Sequence, residues 1–281
     1  SNTIATEIYL GYWHDSSVIG NYIPDEAKDG QHYYFIRIST EFQIKPKHLP
    51  CIQIKNSPFY QPNKWLKTSD IHSLINDAYH KKRKKINGEI VNTSVILTLT
   101  MTDFQLIQDH YDLINCKIID GCYFRAVSGI FDDYIDKYKE IKMNSKGAMR
   151  ELAKLFLNNL YGKMGASNDS SFKVALINPA TDALSYVTVE AHENRPGYIP
   201  IGAAITSYAR DFTIRHAQQN YYGDDKPGFI YADTDSIHCD LNASDLVGIN
   251  VHPTQFLCWK LESTWDNGYF VRQKTYIEIE N

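Results

Sequence analysis

The stretch that most constrains this chain is residues 228–239, GFIYADTDSIHC. A short apolar run ends at two carboxylates, Asp233 and Asp235, and an apolar pattern resumes at Ile237. This pattern predicts two strands joined by a tight turn, because Asp and Ser favour turns. Residues two apart in an extended segment lie on one face, so both carboxylates would point the same way.

Two adjacent carboxylates are stable when they are solvated, share a proton or hold a cation. Hard oxygen ligands of this kind suit Mg²⁺, which takes one or two carboxylates and completes its coordination with water and substrate phosphates. An Asp-Thr-Asp-Ser cluster is also common as a solvated turn, so this stretch alone leaves both interpretations open.

The composition is that of a globular protein. The 281 residues are 43% apolar and 22% charged, and the length suits two or three subdomains. The formal net charge of −4 excludes a protein whose whole surface binds DNA, so a nucleic-acid site would be a local basic patch. Because neither a long apolar run nor a secretory signal is found, the sequence predicts no contact with a membrane.

The cysteines predict the redox compartment, and the histidines bear on whether a zinc site is present. The five cysteines are scattered without a CxxC pair, which favours reduced thiols in a cytoplasm. The ten histidines lack metal-ligand spacing, so a zinc site is not expected.

The N-terminal part of the chain is rich in β-forming segments. A helix is predicted over residues 104–111, with Thr102 or Asp103 as its N-cap. Residues 116–124 suggest a strand pair with a turn at Asp120.

The sequence also contains a run of five basic residues, Lys81–Lys85. Such a run is most often a solvated loop, and the alternative is contact with a phosphate backbone.

Residues 129–163 change to a helical pattern. Apolar residues recur at helical spacing over 130–141, and a second helix is predicted from Lys146 to Tyr161, with its N-cap at Asn144 or Ser145 and Gly162 at its C-cap. A cationic stripe, with residues four apart, runs along this second helix and the segment before it: Lys142, Lys146, Arg150, Lys154 and, in register, Asn158. Like charges at this spacing destabilise an isolated helix, so either an anion or solvent is expected to face the stripe.

The remaining segments complete the pattern. Residues 165–196 predict a small β insertion, residues 202–221 a helix, and residues 256–265 a further helix. Residues 269–277 predict a strand that carries Arg and Lys among aromatic residues.

Three motifs resemble those of family B DNA polymerases and occur in the same order. Residues 154–162, KLFLNNLYG, resemble motif B, Kx3NSxYG. Residues 231–236, YADTDS, resemble motif C, YxDTDS, and residues 274–276, KTY, resemble the KxY motif. The stretches IQIK at 52–55 and LYGK at 160–163 are similar to the protein-primed branch, found in small tailed phages and linear plasmids.

The resemblance implies specific site residues. Asp233 and Asp235 would be the catalytic residues and the ligands of Mg²⁺, with Mn²⁺ as the alternative ion. The residues implied to bind the incoming nucleotide are Lys142, Arg150, Lys154, Asn158 and Tyr161. Those implied to bind the primer end of the DNA are Arg272, Lys274 and Tyr276.

The resemblance also implies an α+β fold with an antiparallel palm sheet, helical fingers and two β-rich insertions. Residues 1–128 would be a subdomain like terminal-protein region 1, 129–164 the fingers, 165–196 an insertion like terminal-protein region 2, and 197–281 part of the palm. The implied partners are template-primer DNA, dNTPs and a terminal (priming) protein, and the implied location is the cytoplasm of a bacterial host.

Two departures from the family pattern stand out. Asn159 occupies the position where motif B has Ser, which affects one hydrogen bond of the nucleotide pocket. No stretch matches motif A, DxxSLYP, which supplies another metal-binding Asp in the family. The exonuclease motifs and the end of the thumb are not found either, so we expect an internal fragment of a polymerase that is inactive or has impaired activity.

The sequence thus predicts a template-directed DNA polymerase that transfers nucleotides from dNTPs to a primer 3′-OH or a priming-protein hydroxyl by two-metal chemistry. The alternative is a non-catalytic module that binds DNA or a terminal protein. Mg²⁺-dependent turnover would favour the polymerase, and salt-sensitive DNA binding without turnover the module. A palm-type nucleotidyl cyclase is disfavoured, because the motif B helix has no place in it.

Overall fold

The computed structural model describes residues 9–14, 22–52, 85–86, 89–90, 95–166, 171–190, 197–223, 225–272 and 274–280. Residues 81–84 of the basic run lie outside these ranges. The chain divides into two compact units, a smaller one of Gly129–Ile205 and a larger one of residues 2–128 and 206–281.

A four-stranded antiparallel sheet organises the larger unit. The N-terminal strands are β1 (Tyr9–His14), β2 (His32–Ile44), β3 (Lys85–Ile86), β4 (Glu89–Ile90), β5 (Val95–Thr100) and β6 (Tyr111–Arg125). The sheet has the order β1-β6-β2-β5, and β3 pairs with β4 in a separate hairpin. β2 and β6 are its two longest strands, because aromatic and β-branched residues recur along both.

β6 is one continuous strand, so the predicted turn at Asp120 is wrong. Gly121 pairs with Ile36 of β2 on one side and with Trp13 of β1 on the other. Arg37 also donates two hydrogen bonds to the Asp120 carboxylate, which fixes this residue in the strand. Pairing with neighbours on both edges outweighs the local turn preference of Asp-Gly.

Helix α1 (Met101–His110) packs on the sheet and begins earlier than predicted. Thr100 is its N-cap, since its hydroxyl oxygen accepts a hydrogen bond from the Asp103 backbone N–H at 3.1 Å. Two adjoining core clusters lie between the sheet and its covering segments. One contains Ala27, Tyr34, Ile36, Ile38, Phe104 and Ile118, and the other Phe42, Ile52, Ile107 and Tyr111.

The smaller unit contains the predicted helical hairpin, α2 (Asp132–Asn144) and α3 (Ala148–Met164), and the predicted β insertion, β7 (Ser171–Ile177) and β8 (Leu184–Glu190). The Tyr138 and Phe156 rings stack between the two helices with centroids 4.7 Å apart. The caps differ from the prediction: Gly147, with φ of 59°, is the N-cap of α3, and Gly165 is its C-cap.

The remaining elements are α4 (Ile199–Gln219), β9 (Phe229–Asp233), β10 (Ser236–Cys239), β11 (Asn267–Arg272) and β12 (Thr275–Ile279). β9 pairs with β10 and β11 with β12, each as an antiparallel hairpin. This mixture of helices and antiparallel sheets agrees with the predicted α+β class. None of the helices within the described ranges has the length and apolar character needed to cross a membrane.

The helix predicted over residues 256–265 is wrong. This segment contains turns and irregular backbone, and a short β-bridge joins Trp259 to Val251. The Trp259 ring stacks on Phe212 of α4, with centroids 5.6 Å apart. We attribute the irregular backbone to this tertiary contact, because burial of a large aromatic ring exceeds local helix propensity in energy.

Asn220, which is fully buried, holds the backbone at the start of β9 in place. Its side chain donates to the Val247 carbonyl at 3.0 Å and accepts from the Val247 backbone N–H at 2.8 Å. Its own backbone carbonyl accepts a hydrogen bond from the Phe229 N–H at 2.7 Å. Gly228 passes close by with φ of +151°, and a Cβ there would lie 2.3 Å from the Asn220 carbonyl oxygen.

We expect Gly228→Ala to lower the free energy of unfolding by roughly 2–4 kcal/mol, because the new methyl group must displace backbone rather than a flexible side chain. Urea denaturation measures the change. Gly30→Ala is the matched control: Gly30 also has a positive φ, but nothing lies within 4 Å of its added Cβ. It should cost only about 1 kcal/mol. Equal losses in the two variants would contradict the close approach at Gly228.

Candidate active site

The two carboxylates lie at the tip of the β9–β10 hairpin. Asp233 is the last residue of β9 and pairs with Ser236, so Thr234 and Asp235 form a two-residue turn. The predicted turn is therefore present, but Asp235 lies in the turn rather than in an extended segment. Thr234 has φ of 55°, a left-handed conformation that is rare for a β-branched residue.

Hydroxyl groups hold this turn in place. Thr213 of α4 donates to the Thr234 carbonyl at 3.1 Å, and its side chain belongs to the buried interior. The Ser236 hydroxyl donates to the Asp233 carbonyl at 3.0 Å, and the Thr234 hydroxyl donates to Asp233 Oδ1 at 3.0 Å. Hydrogen bonds thus connect the tip of the hairpin to α4 and also join residues within the turn.

Lys274 joins the second hairpin to the first. Its ammonium Nζ donates to Asp233 Oδ1 at 3.0 Å, and its backbone N–H donates to the Tyr231 hydroxyl at 2.8 Å. The Tyr231 hydroxyl donates in turn to Asp233 Oδ2 at 3.2 Å. Lys274 lies in the turn between β11 and β12, also with a left-handed φ, of 57°.

These contacts change the acidity of the groups involved. Partial burial raises the pKa of the Asp233 carboxyl, but hydrogen bonds from Lys274 and Thr234 and the positive charge of Lys274 outweigh it, so the net pKa is lowered. The pKa of Lys274 is raised, first by its hydrogen bond to Asp233 and then by the negative charge of that carboxylate. Asp233 is therefore ionised at neutral pH.

The structure brings two of the three predicted primer-binding residues to this hairpin. Lys274 contacts Asp233, and the Tyr276 ring lies 5.7 Å from the Tyr231 ring between centroids. The side chain of Arg272 lies outside the described part of the structure, although its backbone ends β11.

The predicted nucleotide-binding residues lie in the smaller unit. Arg150, Lys154, Asn158 and Tyr161 are on α3 and lie within about 80° of one another around its axis. All four are exposed, and the Arg150 guanidinium lies 3.9 Å from the Glu151 carboxylate. Lys142 is in the last turn of α2 and Lys146 lies between the two helices, so of the predicted stripe Arg150, Lys154 and Asn158 are the residues on α3.

Among the described residues, no group of three or more His, Cys, Asp and Glu side chains converges as a metal site. The metal ligands that the sequence predicts are the two hairpin carboxylates. Asp235 is exposed at the tip, and Asp233 is ionised, so both fit the oxygen ligands that Mg²⁺ prefers.

The family described as "DNA polymerase type B, organellar and viral" matches residues 20–251. The chain belongs to the type B DNA polymerases. The predicted family is thereby confirmed.

The most similar relatives include DNA polymerases of bacteriophages. The chain is 38% identical to the DNA polymerase of Bacillus phage phi29 over 260 residues, which cover 92% of this chain and 40% of that protein. It is 34% identical to the DNA polymerase of Streptococcus phage Cp-1 over 256 residues, 91% of this chain and 40% of the relative. The chain thus spans about 40% of the length of these curated type B polymerases.

Solved structures of phi29 DNA polymerase have the same fold. The complex with primer-template DNA and incoming nucleotide substrates matches with a TM-score of 0.69 and 36% identity, covering 92% of this chain and 40% of that chain. The complex with single-stranded DNA matches with a TM-score of 0.70 and 32% identity. This match covers 99% of this chain and 42% of that chain. These matches confirm the predicted α+β polymerase fold.

Sequence reasoning missed residues that shape this site. Tyr231 was not predicted as a site residue, although it precedes Asp233 by two positions and therefore shares its face of β9. Thr213, which holds the Thr234 carbonyl, was also missed. Period-two spacing could have found Tyr231, whereas the contact of Thr213 depends on the packing of α4 and has no local signal.

We expect Lys274→Met to raise the pKa of the Asp233 carboxyl. The substitution keeps the length of the side chain but removes the strongest contribution that lowers this pKa, and partial burial then dominates. A ¹³C NMR titration of the Asp233 carboxyl group measures the change. Lys260→Met, at an exposed lysine of the same unit, is the control and should leave the titration unchanged. An unaltered pKa in Lys274→Met would contradict the assigned contact.

Proposed function

We propose that this chain is part of a template-directed DNA polymerase that transfers nucleotides from dNTPs to a primer 3′-OH or to the hydroxyl of a priming protein. The observation that carries this proposal is the hairpin tip, where Asp233 and Asp235 lie together and Lys274 binds Asp233. The family membership supports it, as does a similar structure described with primer-template DNA and incoming nucleotides.

Asp233 and Asp235 would hold Mg²⁺, or alternatively Mn²⁺. When bound, the ion would neutralise charge on the transferring phosphate. The protein's own contribution is to keep Asp233 ionised and oriented: Lys274, Thr234 and Tyr231 all donate hydrogen bonds to its carboxylate. Such fixed dipoles and charges need little reorganisation during the reaction.

Arg272, Lys274 and Tyr276 would bind the primer end. Lys274 has 68% of its side chain exposed while it contacts Asp233, so its ammonium can reach a phosphate close to the carboxylates. Tyr276 is 41% exposed and offers an aromatic surface beside that lysine. A cation and an aromatic ring are the groups that hold a nucleic-acid strand through its phosphates and bases.

Lys142, Arg150, Lys154, Asn158 and Tyr161 would bind the incoming nucleotide. Arg150 and Lys154 on the exposed side of α3 present positive charge suited to a triphosphate. Asn158 and Tyr161, further along the same side, would contact the base and sugar.

Residues 1–128 and 165–196 would be the two terminal-protein regions, and 129–164 and 197–281 the fingers and part of the palm. The β7–β8 hairpin of the second region exposes apolar side chains: Val174, Leu176, Ile177, Leu184, Tyr186, Val187 and Val189. Exposed apolar groups of this kind favour a partner surface, here a priming protein or DNA. The phage origin of the relatives supports an action in the cytoplasm of a bacterial host.

Primer extension on a primed template with Mg²⁺ and four dNTPs tests the proposal. We expect Asp235→Asn to reduce incorporation by about a hundredfold or more, because the turn carboxylate acts at the reacting phosphate. Asp225→Asn removes the same charge at another exposed position and should leave incorporation unchanged. No incorporation by the unsubstituted chain, with salt-sensitive DNA binding retained, would overturn the catalytic proposal for this chain in favour of a DNA-binding module.

Lys154→Ala tests the assignment of the nucleotide site. It should weaken dNTP binding by about tenfold and DNA binding far less, because one charge-assisted hydrogen bond to a phosphate is lost. Fluorescence titrations with each ligand measure the two affinities. Lys163→Ala is a control on the same helix, about 180° away around its axis. Equal losses of both affinities in Lys154→Ala would refute the triphosphate role.

A further inference from the structure

The β9–β10 and β11–β12 hairpins contact each other through residues that alternate along each chain. Tyr231 and Asp233 lie two apart on β9, and Tyr276 and Glu278 lie two apart on β12, two and four residues after Lys274. Lys274 contacts Asp233, Tyr276 contacts Tyr231, and Glu278 contacts His238, the residue paired with Tyr231 across the first hairpin. The ion pair of Lys274 therefore has a second polar pair at the opposite end of the same contact surface.

This second pair joins His238 Nδ1 to Glu278 Oε1 at 2.7 Å. Both of its side chains are mostly buried, with His238 12% and Glu278 16% exposed. In the first pair Asp233 is 18% exposed but Lys274 is 68% exposed. A less exposed polar pair is less screened by solvent and costs more to break, because each group would remain desolvated. We therefore expect the His238–Glu278 contact to cost more to break than the Lys274–Asp233 contact.

The orientation of the His238 ring is fixed by this contact. Aromatic rings of Phe270 and Tyr276 lie 5.3 and 4.8 Å from the imidazole between centroids. The other ring nitrogen, Nε2, is buried and has no hydrogen-bond partner in the described part of the chain. The hydrogen bond from Nδ1–H to the carboxylate is therefore the polar contact that orients the ring.

The Glu278 carboxylate is held on its other side as well. Ser263 Oγ donates to Glu278 Oε2 at 3.1 Å, so both carboxylate oxygens have partners. Glu278 pairs with Gly268 across the second hairpin, where a Cβ would lie 2.8 Å from Phe270 and 3.0 Å from Trp265. The absence of a side chain at Gly268 thus leaves room for the Phe270 ring, which packs beside His238, and for the Trp265 ring, which contacts Phe270.

We propose that the His238–Glu278 pair is a positioning element that sets the register of the β11–β12 hairpin against the carboxylate hairpin and thereby presents Lys274 to Asp233. The two hairpins form separate sheets that meet mainly through side chains, so a shift of one along the other would carry Lys274 out of reach of Asp233. The claim that the pair helps to bind the primer end rests on the proposed function. The claim that it positions one hairpin against the other does not.

Hydrogen exchange at the Lys274 amide tests the structural claim on the full 281-residue chain. His238→Phe keeps an aromatic ring but removes the Nδ1–H donor, and Glu278→Gln keeps the size of its side chain but removes the charge. In both variants the Lys274 amide, which donates to Tyr231, should exchange about tenfold faster, while amides in the β9–β10 and β11–β12 ladders keep their protection. Glu280→Gln, an exposed glutamate two residues further on, is the matched control and should have no effect.

Two results would overturn the inference. The first is unchanged protection of the Lys274 amide in both variants. The second is loss of protection throughout the two ladders, which would mean that the pair stabilises the hairpins rather than positions Lys274.

A double-mutant cycle with primer-template DNA tests the functional part. If Glu278 acts through Lys274, Glu278→Gln should weaken DNA binding in the unsubstituted chain but add little in a Lys274→Ala background. Equal effects in both backgrounds would refute action through Lys274. A chain that does not bind primer-template DNA at all would instead refute the proposed function, and the exchange experiment would still decide the structural claim.

Discussion

Asp233 and Asp235 place two carboxylates within three residues, and like charges this close destabilise a turn unless one of them is compensated. Lys274 provides that compensation at Asp233 and leaves Asp235 exposed at the tip. An ion pair with so exposed a lysine contributes little to stability, because solvent screens it and the long side chain loses conformational freedom. The contact can therefore define the geometry of the site, but other interactions must hold the two hairpins together.

Those interactions are aromatic and come from both hairpins. Tyr276 and Phe270 of the second hairpin stack with centroids 5.5 Å apart, and both rings lie near Tyr231 of the first. Aromatic pairs contribute about 0.5–1.5 kcal/mol each beyond the area they bury. Several such pairs exceed the contribution of one screened ion pair, so packing supplies the stability and the polar contacts supply the register.

Helix α4 connects this site to the sheet of the larger unit. The part of α4 that belongs to the larger unit begins at Thr206. There the Ser207 hydroxyl donates to Asp103 Oδ2 of α1 at 2.9 Å, and Arg210 forms an ion pair with the same carboxylate. Further along, Thr213 holds the Thr234 carbonyl, and Asn220 follows the helix end and fixes the start of β9. Polar contacts along one helix thus connect the core of the sheet to the carboxylate turn.

The sequence predicted those parts of the structure that depend on local pattern or on motif spacing. The β9–β10 hairpin, the α2–α3 hairpin and the β7–β8 insertion all follow from periodicity and turn residues. The turn at Asp120 and the helix over 256–265 failed because non-local contacts decided them: strand pairing on both edges of Gly121, and stacking of Trp259 on Phe212. Local propensity carries no information about such partners.

The left-handed backbone at both hairpin tips has a further consequence for the site. Residues other than glycine in this conformation cost about 1–3 kcal/mol, and glycine at Thr234 or Lys274 would remove that cost. Glycine would also remove the Thr234 hydroxyl and the Lys274 ammonium, and both of these groups donate to Asp233 Oδ1. The strained backbone is thus coupled to the groups that orient the carboxylate. The stability lost at the two tips is the physical cost of holding Asp233 ionised and aligned beside Asp235.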